Sequence, residues 1–106
     1  MTFETFAAME LLRQAEWSAD PPDLYHYRDR HGREVDVVLE RRNGEVIGVE
    51  VKAAATVTES DFRSLRYLKE KLGARFKAGV VLYTGAQTLP FGDRLAAVPL
   101  VGLWGT

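Results

Sequence analysis

The chain has 106 residues, 14 basic and 15 acidic side chains, a formal net charge of −1 and no cysteine. This length predicts one domain over residues 1–106, and the lack of thiols excludes disulfide scaffolds, thiolate zinc sites and cysteine nucleophiles. No apolar run is long enough for a membrane span and none near Met1 is typical of a signal peptide, which favours a cytoplasmic protein. Because the charge is almost balanced, binding to nucleic acid would require a local basic patch.

The first half of the chain predicts a helix followed by three strands. Apolar spacing indicates an amphipathic helix over about residues 2–16, before the break at Asp20-Pro21-Pro22-Asp23. Aromatic and β-branched runs predict strands at 24–29, 34–40 and 45–52. His31-Gly32 is typical of a turn between the first two strands, and Asn43-Gly44 is typical of a hairpin between the next two.

The second half predicts a helix and two further strands. Residues 59–72 carry an apolar stripe at helical spacing, and Gly73 lies just beyond its end. Residues 78–84 are almost entirely apolar, as expected of a buried strand, and residues 95–104 read as a short strand-like segment. The order is therefore α-β-β-β-α-β-β. A helix between the third and fourth strands predicts a crossover, and hence an α/β fold with a mixed central sheet flanked by helices.

The hairpin around Asn43-Gly44 decides which charged side chains face each other. Strict alternation along 34–40 puts Val35, Val37 and Leu39 on one face and the acidic residues on the other. The apolar faces of both strands coincide only if a three-residue loop, closed by Gly44, pairs residue 41 with 45. That register places Asp36 opposite Glu50 and Glu34 opposite Lys52.

Two opposed carboxylates repel each other unless a cation lies between them, and either a divalent metal ion or Lys52 would serve. The alternative interpretation of Asp36, Glu50 and Lys52 is an exposed cross-strand charge cluster. Glu4 raises a similar question, because it falls within the apolar arc of the first helix and its carboxylate would face the sheet. The alternative for Glu4 is a first-turn acid that the helix dipole favours.

Asp36, followed after a hairpin by Glu50-Val51-Lys52 and preceded by a helix that carries Glu4, resembles the PD-(D/E)XK (restriction-endonuclease-like) nuclease superfamily. The chain is still more similar to the C-terminal nuclease-like domain of prokaryotic AAA-type ATPases of unknown function. That likeness rests on Phe3 to Leu11, Tyr27-Arg28-Asp29, Glu34-Val35-Asp36, Val49 to Ala53, and Pro99-Leu100 with Trp104. The resemblance implies a restriction-endonuclease-like core of order α-β-β-β-α-β(-β).

The resemblance also implies a role for each site residue. Asp36 and Glu50, joined by the carbonyl of Val51, would bind Mg²⁺ or Mn²⁺, and Glu4 would contact the metal or a water beside it. Lys52 would orient the attacking water or neutralise charge that develops on the phosphate. The implied activity is metal-dependent hydrolysis of phosphodiester bonds in a nucleic acid, with DNA the first expectation.

Two features depart from the family patterns, and a third leaves the partner open. The second helix has Asp61, Arg63, Arg66 and Tyr67 where some branches of the superfamily carry a glutamine or tyrosine motif, and no GxxxxGK[ST] phosphate loop is present. Arg63, Arg66 and Lys69 belong to a basic stretch that either contacts phosphates or is simply a solvated helix face.

In a second interpretation the domain has the same fold but is not catalytic. The domain would then be a module that binds nucleic acid or a protein, as an accessory to an AAA-type ATPase that is its partner or its parent chain. A homodimer formed through the apolar C-terminal segment, about residues 95–104, is a further expectation. No membrane partner is expected.

Overall fold

The computed structural model describes residues 23–100, which form a six-stranded mixed sheet with one helix packed against it. The strands are β1 (Asp23–Arg28), β2 (Glu34–Glu40), β3 (Val46–Val51), β4 (Phe76–Tyr83), β5 (Leu89–Pro90) and β6 (Leu95–Pro99). The helix α1 (Arg63–Leu72) follows a 3-10 turn at Glu59–Phe62 and leads into another at Gly73–Arg75. The expected helix over 2–16, with Glu4, lies outside the described residues.

The sheet has the strand order β1-β2-β3-β4-β6-β5. Neighbours are antiparallel from β1 to β3, parallel from β3 through β4 to β6, and antiparallel between β6 and β5. The parallel β3–β4 pair exists because the chain crosses over through α1, so the predicted mixed α/β sheet is confirmed. Within residues 23–100, no helix is long and apolar enough to cross a membrane.

Most element predictions agree with the structure to within a few residues, and the differences have local causes. The first turn of the helix expected over 59–72 is a 3-10 turn, and α1 proper begins at Arg63. The strand expected over 95–104 ends at Pro99 within the described part. The sequence did not predict β5, because two residues are too few for a periodic pattern.

The hairpin between β2 and β3 has the register that the sequence predicts. Val37 lies opposite Val49 and Leu39 opposite Ile47. The three-residue loop is closed by hydrogen bonds from the Arg41 N–H to the Glu45 carbonyl (2.9 Å) and from the Gly44 N–H to the Arg41 carbonyl (2.9 Å). Gly44 has a φ of +91°, which a residue without a side chain adopts at little cost.

A β-bulge in β2 interrupts the strict alternation. Tyr25 pairs with Val38 but Tyr27 pairs with Val35, so β2 has one extra residue at Asp36–Val37. As a result Val35 packs in the same cluster as Val38, whereas Val37 belongs to the cluster on the other face of the sheet. The prediction that Val35 and Val37 share one face is therefore wrong.

The core lies on both faces of the sheet. On one face α1 contributes Leu65 and Leu68, and the preceding turn contributes Phe62, all at most 2% exposed. Gly48 of β3 lets this helix approach closely, since a Cβ there would lie 2.7 Å from Leu65 Cδ2. On the other face the buried cluster consists of Val37, Leu39, Val49, Leu82 and Leu100. The two buried faces hold β2, β3 and β4 rigidly in the middle of the sheet.

Candidate functional site

The side chains of Asp36 and Glu50 accept backbone hydrogen bonds at the end of the β2–β3 ladder. Regular pairing ends at Val37 and Val49, and these two carboxylates take over the next backbone donors. Asp36 Oδ2 accepts from the Val51 N–H (2.9 Å), and Glu50 Oε1 accepts from the Asp36 N–H (3.2 Å). The bulge that β2 forms in its pairing with β1 lies at the same residue, Asp36.

Glu50 carries the largest electrostatic perturbation in the described part of the chain. Burial raises its pKa from 4.5 to about 7, and the negative charge of Asp36 acts in the same direction. The hydrogen bond from the Asp36 N–H opposes these effects, while Glu34 and Asp61 add to them. Because the negative charge of Asp36 disfavours ionisation of the partly buried Glu50, a cation bound beside the two residues would be favourable.

Lys52, the next site residue along β3, forms an ion pair with Asp61. Its ammonium donates to Asp61 Oδ2 over 2.6 Å, and the same oxygen accepts from the Thr58 N–H over 2.7 Å. Burial alone would raise the pKa of Asp61, but the hydrogen bonds from Lys52 and Thr58 hold it below the usual value. The backbone N–H of Lys52 donates to the Leu82 carbonyl (2.8 Å), so the residue is held at the edge of the β3–β4 pair.

Glu34 does not meet Lys52 as the register argument expected. Its carboxylate lies 3.4 Å from Arg28 Nε and 3.9 Å from His26 Nε2 on β1. The reason is the same bulge, which turns the start of β2 out of the regular ladder with β3 and towards β1. The prediction that Glu34 lies opposite Lys52 is therefore wrong.

The donor set at Asp36 and Glu50 is suited to a hard divalent cation. Asp36 Oδ1 and Glu50 Oε2 accept no hydrogen bond from the described residues, and Mg²⁺ and Mn²⁺ prefer such oxygens. The Val51 carbonyl faces the same strand as its N–H, as in any strand residue. Within 23–100, no three His, Asp or Glu side chains gather as a metal site. A full coordination shell would therefore also need the Val51 carbonyl, water or Glu4, which lies outside these residues.

Two of the three basic residues expected to contact nucleic acid bind other parts of the protein. Arg66 donates to Glu59 Oε2 (2.5 Å) and to the Phe91 carbonyl (2.7 Å). Lys69 donates to the Asp93 carbonyl (2.9 Å). These contacts hold the segment between β5 and β6 against α1, whereas Arg63 is exposed on the same helix.

Asp61 is the site residue that sequence reasoning did not single out. A local signal was present, because Thr58 and Asp61 have the spacing of a capping box, and the structure shows the corresponding hydrogen bond. The spacing predicts a helix start, but it does not predict the ion pair with Lys52 nine residues earlier.

Comparison with known proteins yields one family. A model described as "Domain of unknown function (DUF4143)" matches residues 1–103. No curated protein matches the chain.

Proposed function

The chain belongs to the DUF4143 family, and we propose that it is a divalent-metal-dependent nuclease domain with a restriction-endonuclease-like core. Its substrate would be the phosphodiester bond of a nucleic acid. One observation carries the proposal: at one end of the β2–β3 hairpin the Glu50 carboxylate accepts from the Asp36 N–H and the Asp36 carboxylate accepts from the Val51 N–H, and Lys52 comes directly after β3.

The residues at this edge have complementary chemical roles. Asp36, Glu50 and the Val51 carbonyl would hold Mg²⁺ or Mn²⁺, which supplies a water of lowered pKa and positive charge for the phosphate. Lys52 would donate from its ammonium to a phosphate oxygen or to the attacking water. Glu50, whose pKa is about 7, can hold a proton at the site near neutral pH.

Cleavage of a labelled nucleic acid tests the proposal. We expect weak cleavage that requires Mg²⁺ or Mn²⁺ and that is lost in Asp36→Asn and in Lys52→Ala. The two losses have different causes, since Asp36→Asn removes an anionic ligand and Lys52→Ala removes the donor to water or phosphate. Glu70→Gln, which removes an exposed carboxylate on the helix α1, is the matched control and should retain cleavage. Cleavage that persists in Asp36→Asn would contradict the proposal.

The second candidate is a non-catalytic module that binds nucleic acid or protein and serves an AAA-type ATPase. The observation that favours it is the pairing of Lys52, Arg66 and Lys69 with acidic side chains in the described structure. Cations that are already neutralised contribute less to phosphate binding, so the observation favours the protein-binding form of this candidate. Retained nucleic-acid binding without cleavage, unchanged by Asp36→Asn, would support this candidate.

A further inference from the structure

Asp61 links the turn before α1 to the edge of the sheet. Its Oδ2 atom accepts from the Lys52 ammonium (2.6 Å) and from the Thr58 N–H (2.7 Å). The Lys52 and Asp61 side chains are both partly exposed, at 33% and 22%. The turn therefore supplies an anchored, partly shielded carboxylate, and shielding strengthens an ion pair relative to one in open water.

Two other acidic residues, Glu50 and Asp36, lie on the hairpin that leads to Lys52. Lys52 follows Glu50 by two residues, just beyond the end of β3, and Glu50 Oε1 accepts a hydrogen bond from the Asp36 N–H. The negative charge of Asp61 also contributes to the raised pKa of Glu50. Even so, the structure pairs Lys52 with Asp61, and forms no ion pair between Lys52 and either carboxylate on the β2–β3 hairpin within residues 23–100.

We propose that Asp61 is the positioning residue for Lys52: it holds the ammonium beside the Asp36–Glu50 pair and prevents it from occupying the place of the metal ion. The inference rests on the proposed metal site. A released lysine would pair with Glu50 or Asp36 and would compete with a divalent cation for the same oxygens. With Asp61 in place, the carboxylate pair stays open to metal and the ammonium stays available to substrate.

A double-mutant cycle on Mn²⁺ binding tests this role. We would measure Mn²⁺ affinity by calorimetry for the wild type, Asp61→Asn, Lys52→Gln and the double variant. Asn keeps an acceptor for the Thr58 N–H, so the turn should remain folded. Asp61→Asn should weaken Mn²⁺ binding about threefold to fivefold, the range expected when a partly exposed ion pair must be broken.

The decisive comparison is the effect of Lys52→Gln in the two backgrounds. In the wild type it should change Mn²⁺ affinity little, because Asp61 already holds the ammonium. In the Asp61→Asn background it should restore the lost affinity. Equal effects of Lys52→Gln in both backgrounds would mean that the charges act only through a general field, and would overturn the inference.

Two controls separate the possible failures. Glu59→Gln removes another acid from the same turn, one that pairs with Arg66, and should leave the cycle unchanged. Asp36→Asn tests the metal site itself: if Mn²⁺ binds equally well without Asp36, the proposed function fails. In that event the ¹⁵N resonance of the Lys52 ammonium still tests the anchor. If the Lys52 ammonium protons exchange slowly with solvent in the wild type and rapidly in Asp61→Asn, the Asp61–Lys52 contact is supported. Equal exchange rates in the two proteins would contradict it.

Discussion

Glu50 holds a proton to a higher pH in the folded protein than in the unfolded chain. Its pKa rises from 4.5 to about 7, first because it is buried and then because Asp36 is negatively charged. Between these two values the folded state binds more protons than the unfolded state, so stability falls as the pH rises. The stabilisation is complete below about pH 4.5 and is lost as the pH rises through about 7.

We therefore expect the metal-free protein to lose stability between about pH 5 and pH 8, and Glu50→Gln to remove most of this loss. The variant should resemble the wild type at the acidic end and exceed it at the alkaline end, because an amide has no charge to bury. Urea unfolding at a series of pH values measures the effect. Glu59→Gln leaves Glu50 in place and should keep the wild-type slope. A Glu50→Gln protein with that same slope would contradict the assignment.

Two irregularities, a bulge in β2 and a 3-10 turn before α1, bring β2, β3 and this turn together at the site. The bulge lies at Asp36–Val37, where the regular β2–β3 ladder ends and the Val51 N–H donates to a carboxylate. The 3-10 turn at Glu59–Phe62 brings Asp61 to the end of β3. Both irregularities are local departures from ideal geometry, and together they gather charged groups at one edge of the sheet.

Variants of two arginines on helix α1 test whether its basic residues bind nucleic acid or stabilise the fold. Arg66→Ala should lower the free energy of unfolding by about 1 kcal/mol, because it removes the hydrogen bond to the Phe91 carbonyl and the pair with Glu59. Arg63→Ala, an exposed change on the same helix, should leave stability almost unchanged. Chemical denaturation of both variants checks the difference.

The same pair of variants separates the two roles in binding. If α1 contacts phosphates, Arg63→Ala should weaken binding for every nucleic-acid sequence and should reduce its dependence on salt. Equal stability of Arg66→Ala and Arg63→Ala would refute the structural role of Arg66. Binding that does not change with salt would remove α1 from the nucleic-acid surface.

At the scale of the whole molecule, the site lies where the parallel and antiparallel parts of the sheet meet. β3 is antiparallel to β2 and parallel to β4, and its carboxyl end carries Glu50, Val51 and Lys52. Since β2, β3 and β4 contribute buried side chains to both clusters, the backbone that holds these residues is continuous with the core of the fold. A ligand bound there should therefore stabilise the whole fold.

Mn²⁺ should raise the thermal stability of the wild type and of Lys52→Ala, but not that of Asp36→Asn. At a metal concentration of about 100 times the dissociation constant, the expected gain is about 2.7 kcal/mol. Lys52→Ala keeps the gain because its ammonium is not a ligand, whereas Asp36→Asn removes an anionic oxygen. Calorimetric scans with and without Mn²⁺ measure this, and an identical response of all three proteins would indicate a purely structural charge cluster.

The sequence alone determined every described strand except β5, together with the crossover and the hairpin register. The valines in 34–40 and 45–52, and a glycine suited to positive φ at Gly44, are local signals, and together they predict the observed register, in which Val37 lies opposite Val49. The family resemblance then pointed to Asp36, Glu50 and Lys52. Their proposed catalytic roles, and that of Glu4, remain predictions.

Only the tertiary structure decided which partner each charged group takes. No sequence pattern marks the bulge at Asp36–Val37, because it arises from how β2 fits between β1 and β3. Lys52 pairs with Asp61 rather than Glu34, and Arg66 binds the Phe91 carbonyl, 25 residues away along the chain. Periodicity and spacing report on neighbours along the chain, whereas an ion pair depends on which groups the folded backbone brings within reach.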